Sequence, residues 1–183
     1  ITYETLHAPF SHINDLWRED DQGMLDELLH TIDHCVLAGV GIAVVHISSG
    51  NTPPPMCDRG FARIHRLAEY SAQNNVKLAF ENARLVANLA WAMETFSPDI
   101  AGFCWDCGHE FCFTPGRHYM PLFGDRLICT HIHDNTAVFT CRRNNRTAGT
   151  HTECVCTPAV GRMARELVVS GTESGMPCKL TVL

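Results

Sequence analysis

Short apolar segments recur along this chain, and each ends in a residue that can bind a metal ion. The residues at or just past these ends are His7, His46, Glu81, Asp106, His109 and His131. Enough chain for one helix separates most of them. Because the carboxyl ends of parallel strands meet at one end of a β/α barrel, polar residues placed there converge on one pocket. The pattern therefore predicts a ring of metal ligands.

The segments between the apolar runs have helical periodicity. Helices are predicted over about residues 15–38, 58–73 and 83–97, and the first is expected to begin at Asn14 or Asp15 and to stop at Gly39. A strand follows each helix almost directly. This alternation predicts parallel strands joined by right-handed crossovers.

The strands are apolar along nearly their whole length, which is typical of a parallel sheet covered on both faces. Such a sheet is either open or closed, and the polar residue at every strand end favours closure into an α/β fold of the (β/α)8 TIM-barrel type. The regular pattern weakens after Asn135. We expect an irregular stretch over residues 136–160, a helix near 161–170 and a final strand over 179–183, all within a single domain over residues 1–183.

Composition excludes several functional classes. The 183 residues carry a net charge of −6 with a pI near 6.0, so the overall field repels nucleic acid and anionic membranes. The sequence has no long apolar run and no signal-peptide pattern, which predicts a cytoplasmic protein with no membrane partner. The ten cysteines are interpreted as reduced thiols, several within apolar runs. As an alternative, Cys104, Cys107, Cys154 and Cys156 supply four thiolates for zinc.

Four signatures at the strand ends occur in register along residues 1–135. They are Leu6-His7-Ala8-Pro9-Phe10, Phe80-Glu81-Asn82-Ala83-Arg84, Trp105-Asp106-Cys107-Gly108-His109 and Thr130-His131-Ile132-His133-Asp134-Asn135. Together they resemble the xylose-isomerase-like TIM-barrel superfamily, which holds sugar-phosphate isomerases and epimerases and the related endonuclease IV enzymes.

The resemblance implies a divalent metal, Mn²⁺, Co²⁺, Mg²⁺ or Zn²⁺, bound by Glu81, Asp106 and His131. Mixed oxygen and imidazole ligands suit these ions. The implied reaction is proton transfer next to the carbonyl of a small sugar or sugar phosphate, with Glu81 and His109 as catalytic residues. The residues expected to contact substrate are His7, His46, His133, Phe10 and Trp17.

Each assignment has a structural alternative. Glu81 can instead pair with Arg84, and Asp106 can cap the turn that follows it. His7 and His46 can be hydrogen-bonded pocket walls, and Phe10 and Trp17 can be ordinary packing residues. The structure distinguishes among these alternatives by the contacts it shows.

The chain also departs from the superfamily pattern. The resemblance implies a metal-binding glutamate in the final strand, where this sequence has Thr181. The first two βα units are also expected to be missing, so that about six remain in a barrel truncated at its N-terminus. Two alternatives to an isomerase or epimerase therefore stay open: a catalytically silent relative that binds a metal or small ligand, and an abasic-site nuclease of the endonuclease IV type. Exposed strand edges also make a homo-oligomer an expectation.

Overall fold

The computed structural model describes residues 3–19 and 23–132, together with the backbone of three later strands. In the first part, strands β1 to β5 alternate with helices. The strands are β1 (Thr5–His7), β2 (Ile42–Val45), β3 (Lys77–Glu81), β4 (Ala101–Asp106) and β5 (Leu127–His131). The helices are α1 (Met24–Ala38), α2 (Asp58–Gln73), α3 (Val86–Thr95), α4 (Cys107–Phe113) and α5 (Met120–Phe123), with 3-10 turns at Ile13–Trp17 and Gly124–Arg126.

All five strands run parallel, and each of β1 to β4 pairs with the strand that follows it along the chain. A sixth strand, β8 (Leu180–Thr181), pairs in parallel with β5, so the described order is β1-β2-β3-β4-β5-β8. The expected βα alternation is thus present. The strand predicted over residues 179–183 is confirmed over its two described residues.

The outer face of the sheet forms the main hydrophobic core. Alternate strand residues such as Ala43, Leu78, Phe80 and Phe103 are fully buried there against the apolar stripes of the helices. The helical side of this core includes Leu28, Ile32, Ile64, Leu67, Leu89 and Met93. Successive strand side chains point to opposite faces. The residues between them must therefore face the inner side of the sheet.

The inner face has two layers because side chains repeat every two residues along a strand. Its lower layer is a separate buried cluster of small apolar side chains, formed by Val44, Ala79, Cys104 and Cys129. Two residues further along the same four strands come His46, Glu81, Asp106 and His131, all of them buried. The strand period therefore places four of the predicted site residues side by side above a small apolar layer.

Two local predictions were wrong. The helix expected from Asn14 or Asp15 to Ala38 is two elements, a 3-10 turn at Ile13–Trp17 and then α1 from Met24. Gly23, which precedes α1, has φ of 86°, a left-handed conformation that does not continue a helix. The stop at Gly39 is confirmed, since Gly39 is also left-handed and its N–H bonds back to the last turn.

The second error concerns the stretch expected to be irregular over residues 136–160. The described residues of this stretch form an antiparallel pair, β6 (Asn135–Cys141) with β7 (Cys154–Pro158). The β-branched and aromatic residues of β6 favour extended backbone. The helix predicted near 161–170 lies outside the described residues.

Candidate metal centre

Four histidine side chains surround one buried carboxylate at the carboxyl ends of the strands. Glu81 Oε2 lies 3.0 Å from His7 Nε2, 3.1 Å from His46 Nε2 and 3.3 Å from His131 Nδ1. Glu81 Oε1 lies 2.9 Å from His109 Nδ1. The Glu81 side chain is 2% exposed. Five residues that the sequence placed at separate strand ends therefore meet at one point.

Asp106 joins this cluster from the end of β4. Its Oδ2 is 3.8 Å from His131 Nδ1 and 3.9 Å from His109 Nδ1. Its Oδ1 accepts a 2.6 Å hydrogen bond from the His109 backbone N–H, so Asp106 also caps α4. The capping alternative is thus present in the structure together with the position beside the histidines. Both uses are compatible because they engage different oxygens.

Asn82 holds the ends of β3 and β4 together, although no role was predicted for it. Its amide donates to the Asp106 carbonyl at 2.9 Å and accepts from the Asp106 N–H at 2.7 Å. The residue is fully buried, and its own carbonyl lies 3.0 Å from His109 Nδ1. Asn82 therefore fixes Glu81 and Asp106 relative to each other. A polar residue directly after a buried strand was the available sequence signal.

The electrostatics of the cluster follow from its burial and its hydrogen bonds. Burial opposes ionisation of Glu81, but hydrogen bonds from His109, His131, His46 and His7 outweigh it and hold the pKa of Glu81 far below its usual range. Glu81 is therefore a carboxylate at any ordinary pH.

Two of the histidines have the opposite shift. Burial alone would lower the pKa of His131, but hydrogen bonds with Cys129 and Glu81 raise it to about 10. Burial likewise opposes the charge on His109, and Glu81 and Asp106 raise its pKa. In the metal-free protein the carboxylate of Glu81 thus favours the protonated, positively charged form of His131 and His109.

Three predicted site residues remain, Phe10, Trp17 and His133, and the structure describes the first two. Phe10 stacks on His46, with ring centroids 4.6 Å apart, and is 47% exposed, so it borders the cluster. Trp17 is a core residue instead: its indole donates to the Ile47 carbonyl at 2.8 Å and meets Phe61 edge to face. His133 lies outside the described residues.

The alternative in which Glu81 pairs with Arg84 is not what the structure shows. Arg84 lies over the ring of Phe113, with its guanidinium carbon 3.8 Å from the ring centroid. The partners of Glu81 are the histidines described above. The alternative zinc site of four thiolates includes Cys154 and Cys156, whose side chains are outside the described residues.

The donor set fits a divalent cation. Within the described residues, the ligand atoms of His7, His46 and Glu81 lie within 4.8 Å of one another, and so do those of Glu81, Asp106 and His109. Imidazole nitrogens and carboxylate oxygens are the usual ligands of Zn²⁺, Mn²⁺ and Co²⁺. A third group, Cys104, Cys129 and His131, lies directly below. His131 belongs to both layers through its contacts with Glu81 and Cys129.

The fold and this cluster define part of a β/α barrel with a polar, metal-compatible centre at the carboxyl ends of its strands. The profile of one family, the xylose isomerase-like TIM barrel, matches residues 2–164. The chain therefore belongs to the xylose isomerase-like TIM-barrel family. Its parallel strands form a half-barrel. None of the described helices is long and apolar enough to cross a membrane.

Three similar proteins put this membership in context. A D-tagatose 3-epimerase-like protein superposes with a TM-score of 0.57 at 20% identity, over 73% of this chain and 57% of its own. The TTHB071 protein from Thermus thermophilus, soaked with ZnCl2, gives a TM-score of 0.52 at 25% identity over 77% and 62%. The uncharacterised protein y4fM from Sinorhizobium fredii is 39% identical over 74 residues, which are 39% of this chain and 23% of that protein. The chain thus spans less than two thirds of each relative.

Proposed function

We propose that this chain is a metal-dependent sugar isomerase or epimerase that moves a proton next to a carbonyl group. The observation that carries the proposal is the carboxylate of Glu81 with four histidine nitrogens within 3.3 Å, at the carboxyl ends of parallel barrel strands. Family membership supports it, since the similar structures include a D-tagatose 3-epimerase-like protein. Small sugars or sugar phosphates are the proposed substrates.

Glu81, Asp106 and His131 are the proposed ligands of the ion. When bound, a divalent metal would polarise the substrate carbonyl and make the neighbouring carbon-bound proton more acidic. The Glu81 carboxylate is suited to the ligand role because its negative charge is secure at ordinary pH. Asn82 and the α4 cap orient Glu81 and Asp106, and such supporting hydrogen bonds normally matter for metal affinity.

Glu81 and His109 are the proposed groups for proton transfer. Among the described residues, Glu81 is the only carboxylate in contact with all four histidines, and one of its oxygens lies 2.9 Å from His109 Nδ1. The His109 side chain is 22% exposed, more than His46 at 8% or His131 at 3%. The side chain of His7 is similarly exposed, at 25%, but it lies at the end of β1, so His109 is the accessible histidine of the group that belongs to α4. Phe10 is the proposed apolar wall of the substrate site.

A second candidate is a relative that binds metal without turnover. The register of β5 with β8 places Thr181 beside His131, and threonine has no carboxylate to act as an acid or base. Reversible epimerisation uses a proton-transferring group on each face of the substrate. In this alternative the cluster of Glu81 binds an ion, but the second group is missing.

Metal content tests the site. Chain purified without chelating tags, incubated with Mn²⁺ or Zn²⁺ and desalted, is expected to hold about one ion, whereas Asp106→Asn and His131→Ala should lose it. Asparagine keeps the cap of α4, because it is as good an N-cap residue as aspartate. His34→Ala, which changes an exposed histidine of α1, is the matched control. Equal metal content in all four proteins would contradict the site.

Deuterium exchange tests the chemistry separately from net turnover. The metal-loaded protein is incubated with a ketose in D2O, and incorporation of deuterium next to the carbonyl is followed by NMR. We expect incorporation with the wild type and its loss with His109→Gln. A chain that retains its metal and exchanges no proton of any ketose tested would support the silent relative instead.

A further inference from the structure

A concavity with two arginines adjoins the metal cluster on the side of α4. Phe113 stacks on His109, with ring centroids 4.7 Å apart and an interplanar angle of 25°. The guanidinium of Arg84 lies over the same Phe113 ring at 3.8 Å. Arg84 is thereby connected to His109 through a single aromatic ring. Phe113 and Arg84 both line a surface concavity of about 390 Å³, which Arg117 and Thr114 also line.

The two arginines have no acidic partner in the part of the chain that the structure describes. The ion pairs of the described residues include neither Arg84 nor Arg117. Arg84 is half-buried, while Arg117 is exposed. In a chain of net charge −6, two cations that no described carboxylate pairs with create a local preference for an anion around this concavity.

The stacking of Arg84 on Phe113 leaves its guanidinium better prepared to bind an anion than a surface salt bridge would. The N–H donors of a guanidinium lie in its own plane. When the group stacks on an aromatic face, these donors stay available to a ligand. Its motion is also restricted before a ligand arrives, so less entropy is lost on binding. Planar forks of this kind match the oxygens of phosphate and carboxylate groups.

We propose that Arg84 and Arg117 bind an anionic group of the substrate, a phosphate ester or a carboxylate, while the sugar carbonyl lies at the metal cluster. This inference rests on the proposed sugar isomerase or epimerase function and narrows its substrate class to anionic sugars. Phe113 positions Arg84 and separates it from His109. A neutral sugar would leave both cations without a partner.

Kinetics with three five-carbon probes test the proposal. D-ribulose 5-phosphate, D-ribonate and D-ribulose are offered to the metal-loaded wild type, to Arg84→Gln and to Arg117→Gln. If the anionic group is a phosphate ester, we expect the wild type to prefer D-ribulose 5-phosphate to D-ribulose. Arg84→Gln should then raise the KM for D-ribulose 5-phosphate by about tenfold or more, as expected for a lost charged hydrogen bond. The value of kcat should change less, because the contact is made before and during the reaction.

The arms of the experiment separate the outcomes. Competitive inhibition by D-ribonate that exceeds inhibition by inorganic phosphate points to a carboxylate. Arg59→Gln, at an exposed arginine of α2, is the matched control and should leave every KM unchanged. Equal KM values for the phosphorylated and neutral sugars, or equal effects of Arg84→Gln on both, would overturn the proposal.

A binding measurement keeps the pocket testable if no sugar is turned over. Inorganic phosphate is titrated with the full metal-free chain and followed by ³¹P NMR, so that phosphate cannot bind a metal ion. Wild type and Arg59→Gln should bind, and both Arg84→Gln and Arg117→Gln should bind at least about fivefold more weakly. If the two variants lose phosphate binding and the wild type turns over no sugar, the anion pocket is supported and the proposed isomerase or epimerase function is not. Phosphate binding that is absent from the wild type, or unchanged in both variants, rejects the pocket.

Discussion

Glu81→Gln is the substitution that most directly tests the electrostatics of the metal-free cluster. Glutamine has nearly the same shape but carries no charge, and its NH2 group cannot accept a hydrogen bond from a histidine. In the wild type both carboxylate oxygens are occupied by imidazole nitrogens at 2.9 to 3.3 Å. The change therefore removes the nearest negative partner of these imidazoles.

His131 sets the magnitude. Its pKa is about 10 in the folded protein, against an ordinary value of 6.5, and its side chain is only 3% exposed. At about 1.36 kcal/mol per pKa unit, the part of this shift above pH 7 stabilises the fold by up to about 4 kcal/mol. Cys129 contributes to the same shift, so we expect Glu81→Gln to cost about 2 to 3 kcal/mol at pH 7.

The pH dependence has a definite sign. Because the folded pKa of His131 is raised, its stabilisation is fully present below about pH 6.5 and is lost as pH rises towards 10. Glu81 has the opposite shift, so its own contribution is present above its unfolded pKa and falls away only at strongly acidic pH. Between pH 6 and 10 the wild type should therefore lose stability with rising pH, and Glu81→Gln should lose much less.

Urea unfolding of the chelator-treated proteins at pH 6, 7 and 9 measures these differences. Glu94→Gln, at an exposed glutamate of α3, is the control for removal of one negative charge. The reasoning is refuted if Glu81→Gln changes the free energy of unfolding by less than about 0.5 kcal/mol at pH 7, the size of an ordinary surface substitution.

Three further predictions concern the metal and the core. Zinc binding at pH 7 should release at least one proton, because a ligating histidine is neutral while His131 is protonated in the metal-free protein. Calorimetry in two buffers of different ionisation enthalpy measures the proton release, and equal heats in both buffers would contradict the prediction. Gly60→Ala should lower the free energy of unfolding by about 1 to 2 kcal/mol despite the better helix propensity of alanine, since the new Cβ would overlap the Trp17 ring; an unchanged or higher urea midpoint would argue against this packing. Arg126→Met should cost about 2 to 4 kcal/mol, because the guanidinium donates to three backbone carbonyls at 2.6 to 2.8 Å around the end of α3; thermal unfolding beside Arg59→Met measures the difference, and equal losses would contradict it.

Local sequence patterns were enough to establish the alternation of strands and helices along the chain. Apolar runs followed by polar residues, with helical segments between them, identify parallel strands because both signals are local. The period of two then predicts that residues such as Glu81 and His131 lie on the same inner face as Ala79 and Cys129. Helix α2 began at Asp58 as expected, and Gly39 ended α1.

The partner of each site residue, in contrast, depended on the three-dimensional fold. No local pattern shows that His7 and His46 both contact the same oxygen of Glu81, since 74 and 35 residues separate them from it. The curvature of the sheet brings the strand ends together, and burial then forces imidazoles and carboxylates to satisfy one another. The same argument applies to Trp17, whose apolar character fits a substrate wall or a core equally well until its neighbours are known.

Breaks in regular structure were also decided beyond the local pattern. The left-handed backbone at Gly23 separates the 3-10 turn from α1, although glycine is tolerated inside helices when packing requires it. Strands β6 and β7 pair with each other, and the stability of such a pair depends on cross-strand contacts that neither segment specifies alone. The stack of Arg84 on Phe113 likewise depends on α4 lying beside the end of β3, because these two residues are distant in sequence and only the fold brings them together.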